Sequence, residues 1–245
     1  MRFLLTNDDG IDGEGMHLLA DMLQKKHEVW IVAPDKNRSA VSHGITMTVP
    51  LRLSRRGERC FTCSGVPVDC VINGLKAVLP SAPDAVISGI NRGANIGTDV
   101  LYSGTCAAAR QAALYGIPGI AFSIESEDGV WRYGALADFA RKNIEKLVSL
   151  CEPDVFLNIN ALSADSYAGY QMTRLSRREY GDSVRLYHAP DGHSYSFFEG
   201  GRIATAGGSG FDFDAVRDGY ISVSRVRAQP ADAGFGAAAD PDFLL

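Results

Sequence analysis

Leu4-Leu5-Thr6-Asn7-Asp8-Asp9-Gly10 is the stretch from which both the architecture and the chemistry of this chain are read. The apolar run Phe3–Leu5 has the length of a short buried strand, and it stops in an amide, two adjacent carboxylates and a glycine. Beyond the Gly10–Gly15 segment, Met16, Leu19, Met22 and Leu23 recur at helical spacing. Strand, acidic loop and helix form the unit from which open α/β sheets are built, and ligands sit outside the carboxyl ends of such strands. Two like charges placed there repel unless a cation or a shared proton relieves them. The segment alone leaves two readings open: a hard divalent cation on Asp8 and Asp9, or an Asx-type turn with an aspartate capping the helix.

The same rhythm continues outward. His27–Ala33, Asp84–Gly89, Ile120–Ile124 and Val155–Ile159 read as further strands. Helical patterns over Asp69–Leu79, Gly104–Tyr115 and Val130–Leu150 separate them. Strands alternating with helices imply right-handed crossovers and an α/β fold with a mostly parallel sheet flanked by helices. Two segments break the pattern. Around Pro50, alternating Met47, Val49, Leu51 and Leu53 suggest a hairpin excursion over about 46–63. After Ala161, extended pieces at Tyr170–Leu175, Tyr195–Phe198 and Tyr220–Val226 suggest an antiparallel C-terminal subdomain or an arm. The expected organisation is a catalytic core over 1–160, a β-rich arm over 161–227 and a flexible tail over 228–245.

A length of 245 residues with 46% hydrophobic content suits one large domain with a sizeable core. The formal net charge of −5 argues against a nucleic-acid polymer as partner. No apolar run approaches the ~20 residues needed to cross a bilayer, so no membrane partner is expected, and the opening strand leaves no room for a signal peptide. A cytoplasmic protein is the expectation. Cys60, Cys63, Cys70, Cys106 and Cys151 are odd in number, and the lone CxxC at Cys60–Cys63 reads as plain thiols.

Polar tips follow other strands as well. Pro34-Asp35-Lys36-Asn37-Arg38-Ser39-Ala40 offers the Ser39 hydroxyl as a hard oxygen donor, although a loop serine is the plain alternative. Ser88-Gly89-Ile90-Asn91-Arg92-Gly93-Ala94-Asn95 offers the Asn91 carbonyl and glycines that let backbone approach a ligand. Tyr102-Ser103-Gly104-Thr105 opens the alanine-rich helix, where free N–H groups and the positive dipole end make a phosphate seat, with Ser103 or Thr105 as N-cap. An acidic pair, oxygen donors and an anion seat gathered in one crevice describe metal-assisted phosphoryl chemistry.

These same strings carry a resemblance. Leu4–Gly10, Ala33–Ala40, Gly65-Val66-Pro67-Val68-Asp69-Cys70-Val71, Ser88–Asn95, Tyr102–Thr105, Thr173–Arg178, Asp212–Val216 and Gly219–Ser222 are similar, in order, to the signatures of the SurE survival-protein nucleotidases. The resemblance implies a metal-dependent phosphomonoesterase that hydrolyses nucleoside 5′- and 3′-monophosphates and extends to short polyphosphate. It implies one divalent ion, Mg²⁺ or Mn²⁺, on Asp8, Asp9, Ser39 and Asn91, with Asp8 and Asp9 as the catalytic pair. Phosphate is then expected against Asn91, Gly93, Asn95, Ser103, Gly104 and Thr105. It also implies a Rossmann-like sheet with an extended β-hairpin, in a homodimer or homotetramer whose hairpin and C-terminal part are exchanged between subunits. Val66, where the family has threonine, and Ser224-Arg225-Val226 depart from the pattern. His43, shortly after Ser39, is a candidate acid for the leaving alkoxide, against the plain reading of a hydrogen-bonded histidine. A non-catalytic nucleotide-binding protein using the same crevice is the alternative function.

Overall fold

A computed structural model of the chain describes residues 1–231. The elements, in order, are β1 (Arg2–Thr6), α1 (Glu14–Leu23), β2 (Glu28–Pro34), β3 (Leu53–Arg55), β4 (Cys60–Cys63), α2 (Pro67–Asn73) and β5 (Ala85–Arg92). They continue as α3 (Gly104–Leu114), β6 (Gly119–Glu125), α4 (Gly134–Ser149), β7 (Val155–Leu162) and β8 (Tyr170–Thr173). The chain then runs through β9 (Arg177–Tyr180), β10 (Ser183–His188), β11 (Ser194–Glu199), β12 (Ile203–Ala206), α5 (Asp212–Arg217) and β13 (Ile221–Arg227).

Nine strands form one sheet in the order β3-β4-β2-β1-β5-β6-β7-β13-β8. From β4 to β7 every neighbouring pair is parallel. At the margins, β3 and β13 run antiparallel to β4 and β7. The order winds one way from β1 to β4 and the other way from β5 to β7, so the switch point falls between β1 and β5. That is where an open α/β sheet leaves a crevice.

Strand alternation sorts the core into two layers. Phe3 and Leu5 of β1 join Met16, Leu19, Leu136, Ile144 and Leu147 of α1 and α4 on one face. Leu4 points the other way, to Cys70, Val71, Ala108 and Ala112 of α2 and α3. Burying each of the large side chains contributes roughly 1.5–3 kcal/mol. The buried face of α3 is mostly alanine, and this lets the helix lie close to the sheet. At Gly119 of β6, an added Cβ would stand 2.0 Å from the Ala109 carbonyl oxygen. Close seating of α3 brings its N-terminus to the end of β1.

The irregular segments differ in detail from the expectation. Pairing in the 46–63 excursion begins only at Leu53, and β4 lies parallel to β2 as a strand of the main sheet. Pro50 lacks a ladder donor, and Met47 and Val49 are 87% and 60% exposed, so their alternation buries no face. Downstream of Ala161, β8 and β13 extend the main sheet, while β9 pairs with β12 and β10 with β11 in two separate antiparallel ribbons. The expected tail starts with Ala228 and Gln229 tied to Asp154, through N–H bonds of 2.8 and 3.2 Å. From residue 232 on it lies outside the described residues. Among the described residues no helix is long and apolar enough to cross a membrane.

Candidate metal and phosphate site

The loop after β1 is closed by Asn7. Its Nδ2 donates to the Gly10 carbonyl at 2.7 Å, and its Oδ1 accepts from the Gly10 N–H at 3.2 Å. Gly10 has φ of +99°, and a Cβ there would meet the Lys36 carbonyl carbon at 2.9 Å. The loop after β2 lies directly against it: Ile11 N–H donates to Pro34 at 2.8 Å, and Arg38 N–H donates to the Asp8 carbonyl at 2.7 Å. The segment that carries Ser39 is thereby anchored to the acidic pair.

The two carboxylates turn to different neighbours. Asp8 is 4% exposed and faces the start of α3. Thr105 donates its hydroxyl to Asp8 Oδ1 at 2.5 Å and its backbone N–H to Oδ2 at 3.2 Å. Glycine at 104 permits this approach, because a Cβ there would sit 3.0 Å from Asp8 Cβ and Oδ2. Asp9 turns toward the end of β5 and accepts the Arg92 N–H on Oδ2 at 3.1 Å. Burial pushes the Asp8 carboxyl up to about 6, with the Thr105 hydroxyl opposing the rise and the Asp9 charge adding to it. Burial raises Asp9 too, against the pull of the Arg92 N–H. Two partly desolvated carboxylates side by side are relieved by a cation.

The neutral donors fit that role. Ser39 Oγ donates to Asn37 Oδ1 at 2.8 Å, which satisfies its proton and leaves the oxygen lone pairs. Asn91 Nδ2 donates to the Gly93 carbonyl at 2.8 Å, so the amide oxygen is the free end. The register between β5 and β6 shifts between Ser88 and Asn91, and this bulge sets where Asn91 stands. Among the described residues no group of three or more His, Cys, Asp or Glu side chains gathers as a metal site. The donor set is two carboxylates, a hydroxyl and an amide, all oxygen, which suits a hard divalent ion.

The anion seat is narrower than the sequence suggests. Ser103 is the N-cap of α3 and accepts the Cys106 N–H at 3.0 Å. With the Thr105 N–H on Asp8, the Gly104 N–H is the first-turn amide without a partner among the described residues. The Gly93–Asn95 backbone, expected against phosphate, is instead paired within the fold. Gly93 N–H donates to Ile124 at 2.9 Å, Ala94 N–H to Glu125 Oε2 at 3.4 Å, and Asn95 N–H to Asn160 Oδ1 at 2.8 Å. Asn95 Nδ2 is likewise held by Ser123 Oγ at 2.7 Å.

His43 stands apart from the acidic pair. Its Nε2 lies 2.9 Å from Gln111 Oε1, and burial lowers its proton affinity. It lines a cavity of about 660 Å³ with Arg110, Leu114, Arg177 and Val226, and none of Asp8, Asp9, Ser39 or Asn91 lines that cavity. The Asn7 clasp on Gly10 is an Asx-type turn of the kind the opening segment suggests, whereas the Arg92 N–H on Asp9 has no sequence signature.

The fold and site place the chain in the class of doubly wound α/β proteins with oxygen donors gathered at the switch point. The comparisons give that class a family. The profile of the family described as Survival protein SurE matches residues 3–182. A 5′-nucleotidase SurE of Gemmatimonas aurantiaca is 42% identical over 232 residues, covering 91% of each chain. One of Heliobacterium modesticaldum is 41% identical over 237 residues, covering 92% of this chain and 86% of its own. The crystal structure of the SurE protein from Aquifex aeolicus superposes with a TM-score of 0.81 at 33% identity, covering 95% of both chains. The chain belongs to the SurE family.

Proposed function

We propose that the protein is a divalent-metal-dependent phosphomonoesterase of nucleoside monophosphates, acting at the 5′ position as its named relatives do. The observation that carries the reading is the buried Asp8 and half-buried Asp9 carboxylates beside an open helix N–H, with two neutral oxygen donors on the neighbouring loops. Asp8, Asp9, Ser39 and Asn91 would hold the ion, Mg²⁺ or Mn²⁺. When bound, it supplies charge neutralisation of the phosphate and acidification of a water.

The chain's own groups do the rest. The Gly104 N–H, at the positive end of α3, receives a non-bridging phosphate oxygen. Thr105 keeps Asp8 turned toward the helix, and the Arg92 N–H keeps Asp9 turned toward β5. Asp9 Oδ1 carries no protein hydrogen bond among the described residues and takes up the proton of the attacking water.

The protein works as a homodimer or homotetramer, and the exposed apolar ribbon of β10 and β11 supports self-association. Five free thiols support a reducing, cytoplasmic setting. The test is release of phosphate from AMP, 3′-AMP, ribose 5-phosphate and short polyphosphate, with Mn²⁺, with Mg²⁺ and with EDTA. Metal-dependent hydrolysis of AMP that disappears in Asp9→Asn supports the reading. Tight AMP binding without phosphate release overturns it in favour of a nucleotide sensor.

A further inference from the structure

Tyr102 is the residue before the N-cap of α3, two positions from the open Gly104 N–H. Tyr102 is 55% exposed, and its ring is free to meet a ligand. The ring is nonetheless fixed. Tyr180, from β9, packs against it edge to face with centroids 5.9 Å apart at 84°. The Tyr180 hydroxyl donates to Asp99 Oδ1 at 2.5 Å, and Arg178 pairs with the other Asp99 oxygen. The Tyr102 backbone is held at both ends: its N–H donates to Asp99 at 2.9 Å, and its carbonyl accepts the Ser42 N–H at 3.0 Å. Ser42 follows Ser39 by three residues. The Tyr102 backbone therefore links the start of α3 to the loop that carries an expected metal ligand.

We propose that Tyr102 is the stacking platform for the base of the nucleoside monophosphate and the residue that selects nucleotides over simple phosphate esters. The inference rests on the phosphomonoesterase reading of the same site. Consecutive Cα atoms are about 3.8 Å apart, so the Tyr102 backbone stands at most about 7.6 Å from that of Gly104. An exposed aromatic ring carried this close in the chain to the Gly104 N–H is what a phosphate ester with a base attached would need. Every base presents a π-face, so such a platform accepts the nucleoside class without selecting one base. Anchoring through Tyr180 and Asp99 means that little side-chain freedom is lost on binding.

The experiment compares AMP with ribose 5-phosphate, which carries the same ester and no base, in the full-length Mn²⁺-loaded protein. In Tyr102→Ala the KM for AMP rises about tenfold or more while that for ribose 5-phosphate stays unchanged, and Tyr102→Phe behaves as the parent. Equilibrium dialysis of AMP against the metal-free protein weakens by a similar factor in Tyr102→Ala only. Unchanged ribose 5-phosphate turnover certifies that the variant is folded. Equal changes for both esters, or none, overturn the platform and leave the phosphomonoesterase reading intact. Failure of the parent protein to hydrolyse either ester overturns that reading, and the platform with it.

Discussion

Thr105 gives both of its donors to Asp8: the hydroxyl reaches Oδ1 at 2.5 Å and the backbone N–H reaches Oδ2 at 3.2 Å. The helix end that would attract a substrate anion is thus partly occupied by the protein's own carboxylate. The two bonds orient Asp8 and stabilise its charged form in a site where burial works against it. Thr105→Val keeps the shape and removes the hydroxyl. The expected result is a further rise in the Asp8 proton affinity and a 10- to 100-fold loss of Mn²⁺ affinity at neutral pH, on the order seen when a ligand loses its orienting partner. Calorimetric titration of Mn²⁺ at pH 6 and pH 8 checks this, and the deficit shrinks at the higher pH.

Asp8 also carries a stability cost in the metal-free protein. Its carboxyl is pushed from 3.8 to about 6 in the fold. The folded state binds the proton more tightly than the unfolded chain, so the contribution is fully present below about pH 4 and is lost as pH rises through 6. The shift corresponds to about 3 kcal/mol. In EDTA at pH 8, Asp8→Asn is expected to be more stable than the parent by about 1–3 kcal/mol, an advantage that vanishes near pH 4. Urea unfolding at the two pH values measures it. A variant that is less stable than the parent at pH 8 contradicts the assignment of burial as the dominant cause.

Gly104 separates space from propensity. An alanine Cβ at this position would stand 3.0 Å from Asp8 Cβ and Oδ2 and 3.1 Å from Pro67 Cγ. Alanine is the better helix former by about 1 kcal/mol, so Gly104→Ala is expected to unfold within about 1 kcal/mol of the parent. The crowding falls on Asp8, which must move by a few tenths of an ångström. Turnover of AMP is expected to drop about tenfold while the melting temperature stays within about 5 °C.

The alternation of strands and helices and the polar tips at the strand ends are legible in the sequence because their signals are local. Phe3 and Leu5 against Leu4, and the polar tips after β1, β2 and β5, are each visible within ten residues. The turn reading of the opening segment is seen in part: Asn7 closes an Asx turn, and Asp8 binds the start of a helix. That helix is α3, almost a hundred residues away, and not α1, whose N-cap Gly13 has no side-chain bond. Long-range choices of this kind leave no periodic trace. The insertion of β13 between β7 and β8, the pairing of His43 with Gln111 and the internal bonding of Gly93–Asn95 depend on contacts between segments distant in sequence. Glycine-rich composition alone does not reveal that the Gly93–Asn95 amides are already spent.

The ribbon formed by β10 and β11 presents apolar side chains on both faces. Val184 pairs opposite Phe198, with Leu186 beside them on the same face. These three are 63%, 70% and 58% exposed. The other face carries Tyr187 and Phe197, in edge contact at 5.4 Å, with Tyr195 opposite Tyr187. A two-stranded hairpin with no covered face is marginal in water, and apolar surface of this extent marks an association site. The double variant Val184→Asp/Phe198→Asp places like charges directly opposite each other on one face. Sedimentation equilibrium at micromolar protein is expected to give a smaller species than the parent, with the metal site unaltered because no residue of the ribbon touches it. An unchanged mass for the double variant would remove the ribbon from the interface. A smaller species that still hydrolyses ribose 5-phosphate would separate assembly from the chemistry at Asp8 and Asp9.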